Sequence, residues 1–177
     1  MAGRPILGVK KPASALPTTS TGRVRHRVLI IDARYYDAIA DELVRGAIAE
    51  LEAQGCGYDR VIVPGALEIP QVLAAAVKAG VTPLDAPNAR FAGAIALGCV
   101  IRGDTSHYDT VCNNANHWLM DVAVRHCVPV GNGILTVENE AQAMERAQGG
   151  REGKGGDAAR ACLRLLEVAR SFHGHNT

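Results

Sequence analysis

Aromatic side chains are scarce in this chain: one Trp, two Phe and four Tyr among 177 residues. That leaves too few ring faces for a platform on which single-stranded nucleic acid could stack. An excess of one charge is also missing. Nineteen Lys and Arg stand against eighteen Asp and Glu, a formal net charge of +1, so neither nucleic acid nor an anionic membrane is indicated as a partner. The five cysteines, Cys56, Cys99, Cys112, Cys127 and Cys162, are odd in number, irregular in spacing and without a C-x-x-C pair. This excludes a disulfide framework and a zinc site and points to a reducing compartment, the cytoplasm. No apolar run approaches the length that spans a bilayer. The basic N-terminus lacks the apolar stretch of a secretory signal. Walker loops, H-E-x-x-H and G-x-S-x-G are absent. Gly131-Asn132-Gly133 has no third glycine at the dinucleotide offset, and Glu68 with Asp104 does not form a convincing glycosidase pair.

What is present is the balance of a soluble globular protein, 47% hydrophobic and 21% charged. The length suits one domain, with a core that needs no staples. Residues 1–22, rich in Pro, Ser, Thr and Gly, read as a polar tail, and the domain as 23–177. β-Branched and apolar runs predict strands over 24–31, 58–63, 91–97 and 128–136. Ile39, Leu43, Ala47 and Leu51, with a second row at Ala40, Val44 and Ile48, recur at helical spacing and predict a helix over 36–54. Further helices are expected over 67–78, 107–126, 139–147 and 157–172, with a glycine-rich loop over 149–156. Strands alternating with helices, the strands apolar on both faces, describe a parallel sheet covered on each side. In such sheets ligands bind beyond the carboxyl ends of the strands.

Candidate chemistry does gather at those ends. The segment Gly103-Asp104-Thr105-Ser106-His107 at a helix start offers backbone N–H groups and hydroxyls, suited to cradling a phosphate with help from the helix dipole. An ordinary N-cap through Thr105 or Ser106 reads equally well. His107 has the chemistry of a proton-transfer group near neutrality, although a histidine in a first helical turn is often only a surface residue. Arg146 and Lys154 flank the glycine-rich segment and would suit an anion. The plainer reading is a cation favoured by a helix C-terminus.

Taken together, Val63-Pro64-Gly65-Ala66-Leu67-Glu68-Ile69-Pro70, Gly98-Cys99-Val100-Ile101-Arg102-Gly103-Asp104-Thr105-Ser106-His107-Tyr108-Asp109, Val111-Cys112-Asn113 and Thr136-Val137-Glu138-Asn139 resemble the hallmark segments of the 6,7-dimethyl-8-ribityllumazine synthases, in that family's order and spacing. The likeness runs from about residue 23 to 172. It implies a three-layer α/β/α sandwich with a four-stranded parallel sheet, flavodoxin-like. It also implies homopentamers with active sites between neighbouring subunits, in some members packed into icosahedral shells. The implied reaction joins 5-amino-6-(D-ribitylamino)uracil to 3,4-dihydroxy-2-butanone 4-phosphate, without metal or organic cofactor.

By the same resemblance His107 is the proton-transfer histidine and Arg146 the phosphate-binding arginine, with Lys154 a basic residue nearby. Asp104 and Thr105 fall at the phosphate turn. Ala66, Leu67 and Glu68, with Cys99, Val100 and Ile101, line the pyrimidine and ribityl site, and Tyr35 supplies the aromatic that stacks on the uracil ring. Asn132 departs from the pattern: the family often has Phe at that position, reaching into the neighbour's site. A non-catalytic lumazine carrier, a shell protein kept for assembly and a flavodoxin-like electron carrier are the competing readings. The intact proton-transfer and anion residues argue against the first two, and the family-like segments do not fit the third.

Overall fold

A computed structural model describes Thr19 and residues 26–173. The predicted tail, 1–22, lies outside the described residues except for Thr19, as does the predicted start of the first strand. The order of elements is β1 (Arg27–Ala33), α1 (Asp37–Ala53), β2 (Gly57–Val63), a 3-10 turn (Ala66–Glu68) leading into α2 (Ile69–Lys78), β3 (Gly93–Ile101), α3 (His107–Arg125), β4 (Val130–Val137), α4 (Glu140–Ala147), a second 3-10 turn (Gly150–Glu152) and α5 (Lys154–His173). The four strands form one parallel sheet in the order β2-β1-β3-β4. Helices cover both faces, which makes the flavodoxin-like three-layer sandwich that the sequence predicts. Among the described residues no helix is long and apolar enough to cross a membrane.

The period-two geometry of strands explains why β1 and β3 are apolar without alternation. Val28 and Ile30 of β1, with Ile95 and Leu97 of β3, pack beneath Leu43, Ala47 and Leu51 of α1 and Ala159 and Cys162 of α5. Their neighbours Leu29, Ile31, Ala94 and Ala96 face the other way, against Ile69 and Leu73 of α2 and Ala115 and Leu119 of α3. Burying each large aliphatic side chain in this way stabilises the fold by roughly 1.5–3 kcal/mol. The Glu50 carboxylate, fully buried on α1, joins α1 to α5. Its Oε2 accepts from Arg151 Nε at 2.8 Å and Arg160 Nη1 at 3.1 Å, and its Oε1 from Gln54 Nε2 at 3.0 Å.

The structure differs from the sequence-based expectation in three places that bear on the site. Strand β3 does not end at Leu97 but continues to Ile101, because residues 98–101 pair in parallel register with 134–137 of β4. Residues 149–156 are not a loop: a 3-10 turn fills the first half and α5 begins at Lys154. Gly155 serves close approach rather than flexibility, since a Cβ there would overlap the Leu43 backbone of α1. Gly131 does the same on β4 against the Ala158 carbonyl. Finally, α3 starts without a side-chain cap from Ser106, and the His107 N–H reaches Thr105 Oγ1 only at 3.4 Å. The cap that is well made lies at α4, where Asn139 Oδ1 accepts the Gln142 N–H at 3.0 Å and Gln142 Oε1 accepts the Glu138 N–H at 3.0 Å.

Candidate active site

Strands β1 and β3 are neighbours in the sheet but not in sequence, and the chain order reverses between them. Ligand clefts of open α/β sheets form at this point, beyond the carboxyl ends of the strands. A cleft of about 430 Å³ lies there. Tyr35 and Tyr36, just after β1, form one wall. Pro64, Gly65 and the turn Ala66–Glu68 follow from β2. Cys99, Val100 and Ile101 contribute from the end of β3, which the continued pairing with β4 holds in place. Gly103, Thr105, His107, Tyr108 and Val111 close the remaining side from the loop and the first turns of α3.

The walls differ in character. Tyr35 is 71% exposed, so much of its surface is open to solvent, and it meets Tyr36 edge to face with centroids 5.0 Å apart. Burial first, then Tyr35, Cys99 and Glu140, raise the Tyr36 phenol above its ordinary value, so it stays a neutral hydrogen-bonding group. Burial, with a smaller contribution from Cys112, pushes the Cys99 thiol up to about 11. Cys99 is therefore a small apolar wall and not a nucleophile, because the thiolate is the reactive form. On the α3 side the Arg102 guanidinium lies 4.1 Å from the centre of the Tyr108 ring. Its Nε donates to Glu138 Oε2 at 2.9 Å. Burial raises the Tyr108 phenol as well, with Cys112 adding to it and Thr136 and Arg102 opposing. His107, the first residue of α3, is exposed and faces the cleft from a helix N-terminus.

The cleft thus unites Tyr35, Ala66, Leu67, Glu68, Cys99, Val100, Ile101, Thr105 and His107. It does not include the other site residues named from the sequence. Asp104 is exposed between two cleft residues without lining the cleft. Asn132 stands exposed on β4; its Nδ2 donates to Asn116 Oδ1 at 2.6 Å and its Oδ1 accepts the Ile134 N–H at 3.0 Å. Arg146 is exposed in the last turn of α4. Lys154 opens α5 and donates from Nζ to Asp157 Oδ2 at 2.7 Å. Tyr36, Tyr108 and Val111 line the cleft without having been assigned a role beforehand. Tyr108 and Val111 stand in the family-like segments, Val111 one helical turn after His107, and Tyr36 follows Tyr35 at a strand end. Among the described residues no group of His, Cys, Asp and Glu is placed to hold a metal ion.

Fold and cleft together define a flavodoxin-like α/β protein with an open cleft at its strand ends. More narrowly, the chain belongs to the 6,7-dimethyl-8-ribityllumazine synthase family, whose sequence model matches residues 25–170. Proteins named 6,7-dimethyl-8-ribityllumazine synthase are close in sequence. That of Azorhizobium caulinodans is 50% identical over 144 residues, covering 81% of this chain and 86% of its own. That of Methylobacterium radiotolerans is 47% identical over 161 residues, 91% of this chain and 93% of its own. That of Agrobacterium fabrum is 46% identical over 147 residues, 83% and 97% respectively.

Proposed function

We propose that this chain condenses 5-amino-6-(D-ribitylamino)uracil with 3,4-dihydroxy-2-butanone 4-phosphate to give 6,7-dimethyl-8-ribityllumazine, with loss of phosphate and water, as a step of riboflavin biosynthesis in the cytoplasm. The observation that carries this reading is the meeting of His107, Tyr35, the turn Ala66–Glu68 and the end of β3 around one cleft in a chain of this family. Tyr35 stacks on the pyrimidine. Backbone groups of the turn and of Cys99, Val100 and Ile101 border the uracil edge and the ribityl chain. The amine of the uracil attacks the ketone, phosphate leaves and the ring closes, with His107 moving protons between these steps. Thr105 and the backbone beside Asp104, at the start of α3, face the phosphate, where the helix dipole favours an anion. Holding both substrates in register removes much of the entropic barrier.

In this reading the cations come from a second copy. Arg146 and Lys154, and with them the neutral Asn132, lie off the cleft of their own chain, so a head-to-tail ring that brings them to the cleft of the next subunit completes the site; such heterologous contacts close into rings where the rotation closes. A homopentamer is the proposed ring, and a shell of pentamers the proposed higher assembly. The catalytic domain is 23–177, preceded by a polar tail. The test is to incubate the purified protein with both substrates and follow the absorbance and fluorescence of the lumazine. Product formation at the rate of an ordinary biosynthetic enzyme is expected; its absence in folded, assembled protein refutes the reading.

A further inference from the structure

Arg34 lies between the last residue of β1 and Tyr35, and its side chain is 1% exposed. The guanidinium is shared among three carboxylates on two elements. Nη1 donates to Asp32 Oδ2 of β1 at 3.3 Å, Nε to Asp37 Oδ1 at 3.0 Å and Nη2 to Asp41 Oδ1 at 2.9 Å, the last two on α1. Nη2 also donates to the Asp37 carbonyl at 3.3 Å. The Arg34 backbone N–H donates to the Val63 carbonyl at 2.9 Å, immediately before Pro64 and Gly65 of the cleft. One residue thus ties together the end of β1, the first turns of α1 and the end of β2.

The buried end of this cluster is itself fixed by arginine. Asp32 is fully buried, and Arg60 of β2 donates to the same Oδ2 from Nε at 3.0 Å and Nη2 at 2.6 Å. Asp32 Oδ1 has no hydrogen-bond partner among the described residues, so the two guanidiniums alone orient the carboxylate. The exposed end needs such an anchor. The Tyr35 ring is mostly open to solvent, and Tyr36, the residue that precedes α1, makes no side-chain cap. The Tyr35 ring meets Tyr36 edge to face, so its placement follows the backbone that carries the pair, and Arg34 holds that backbone on either side.

We propose that Arg34, acting through Asp32, Asp37 and Asp41, is a positioning residue that presents the Tyr35–Tyr36 pair to the pyrimidine substrate. The inference rests on Tyr35 being the ring contact of the proposed reaction. Arginine suits the task because its planar fork can meet several carboxylates at fixed angles, which a lysine ammonium cannot.

A merely structural role would lower stability without separating the two substrates, so the test measures both KM values. Asp37→Asn/Asp41→Asn leaves the buried Arg34–Asp32–Arg60 contacts in place and removes charge only on the accessible side. Asp59→Asn is the control: it disrupts a comparable cluster with Arg27 and Arg90 at the opposite end of β2. In the full chain the double variant should raise the KM for the ribitylamino-uracil roughly tenfold, short of the ~10²-fold that a 1 Å misplacement can cost. The KM for the butanone phosphate should stay within about twofold, and Asp59→Asn should change neither. Arg34→Lys should show the same split if it folds. A double variant with a normal uracil KM, or one whose two KM values rise together, overturns the proposal. Tyr35→Ala separates it from its premise: unchanged uracil binding in that variant removes the reading of Tyr35, and the proposal with it. Impaired binding in Tyr35→Ala beside a normal Asp37→Asn/Asp41→Asn removes the proposal alone.

Discussion

Tyr35, the turn Ala66–Glu68 and residues 99–101 are carried on or next to strand ends whose preceding residues are buried in the sheet, whereas Asn132, Arg146 and Lys154 stand exposed on β4, α4 and α5. The first group needs only its own chain to be in position: backbone pairing between β3 and β4 and the Arg34 cluster place it. The second group is held by surface contacts such as Asn132 to Asn116 and Lys154 to Asp157, which are weak at the surface. The difference teaches that a wall shaped for the flat face of the proposed pyrimidine can be built into one fold. The cations proposed for the phosphate stand solvated on the outside of their own chain, since burying them unpaired would be costly; in the proposed assembly a neighbouring copy carries them to the anion.

The comparison breaks most directly by mixing two damaged proteins. His107→Ala should lower kcat by about 10²-fold, within the usual range for a lost acid–base group. Arg146→Ala should cost on the order of 1.5–3 kcal/mol, the worth of a charged hydrogen bond, and raise the KM for the butanone phosphate. If the two residues meet across a head-to-tail ring, co-refolded mixtures of the two variants should regain activity, because about a quarter of randomly assembled sites are then intact. Mixtures no more active than their components would place both residues in one subunit's site.

The rigid side of the comparison can be tested through stability. Gly131→Ala puts a methyl against the Ala158 carbonyl, which cannot move without shifting α5. The cost should reach the upper part of the roughly 1–3 kcal/mol typical of overpacking, read as a lower midpoint in denaturant. A Gly131→Ala protein as stable as the parent would show that β4 and α5 are not in backbone contact.

Glu50 gives a pH test of the same layer. Burial pushes its carboxyl up, but hydrogen bonds from Arg151 and Gln54 and the charges of Arg151 and Arg160 outweigh this and hold it below the usual carboxylate range. A depressed folded value means that the stabilisation is complete above the unfolded value and is lost as the pH falls through the folded one. Glu50→Gln should therefore cost about 1–3 kcal/mol near neutrality and flatten the loss of stability on acidification. An acid limb identical in both proteins would show that the Glu50 cluster does not govern it.

The smallest effect is expected at Asn132. An aromatic wall adds about 0.5–1.5 kcal/mol to ring binding. The structure shows the Asn132 amide bonded to Asn116 and to the Ile134 N–H; the variant lacks these bonds with or without ligand, so their loss costs about 1 kcal/mol of stability and leaves the ring contact to act on binding. Asn132→Phe should thus tighten product binding by roughly 2- to 12-fold, measured by fluorescence titration. Equal affinities would mean that position 132 does not face the ring.

Much of this was legible beforehand for a physical reason. The rows Ile39, Leu43, Ala47, Leu51 and Ala40, Val44, Ile48 announce α1 because helical periodicity is local, and all of these residues are buried. The strands before each site segment are recognisable from their composition, so Tyr35, Glu68 and His107 could be assigned to one edge of the sheet before their geometry was known. Arg34 could not be singled out: nothing local distinguishes a buried arginine that bridges three carboxylates from a solvated one. Tyr36 and Tyr108 were passed over because their part in the cleft depends on which neighbours face them.

The chain's own pattern therefore determined the four strands and five α-helices, the parallel sheet and, through resemblance, the family, since these follow from short-range periodicity and from segments that remain contiguous in sequence. Tertiary structure decided where β3 stops, because residues 98–101 are strand only by virtue of 134–137 beside them. It decided that Gly155 belongs to a helix, because glycine signals a loop locally but also permits the Leu43 backbone to approach. It also left Arg146 and Lys154 off the cleft of their own chain, a placement that no spacing along the chain encodes.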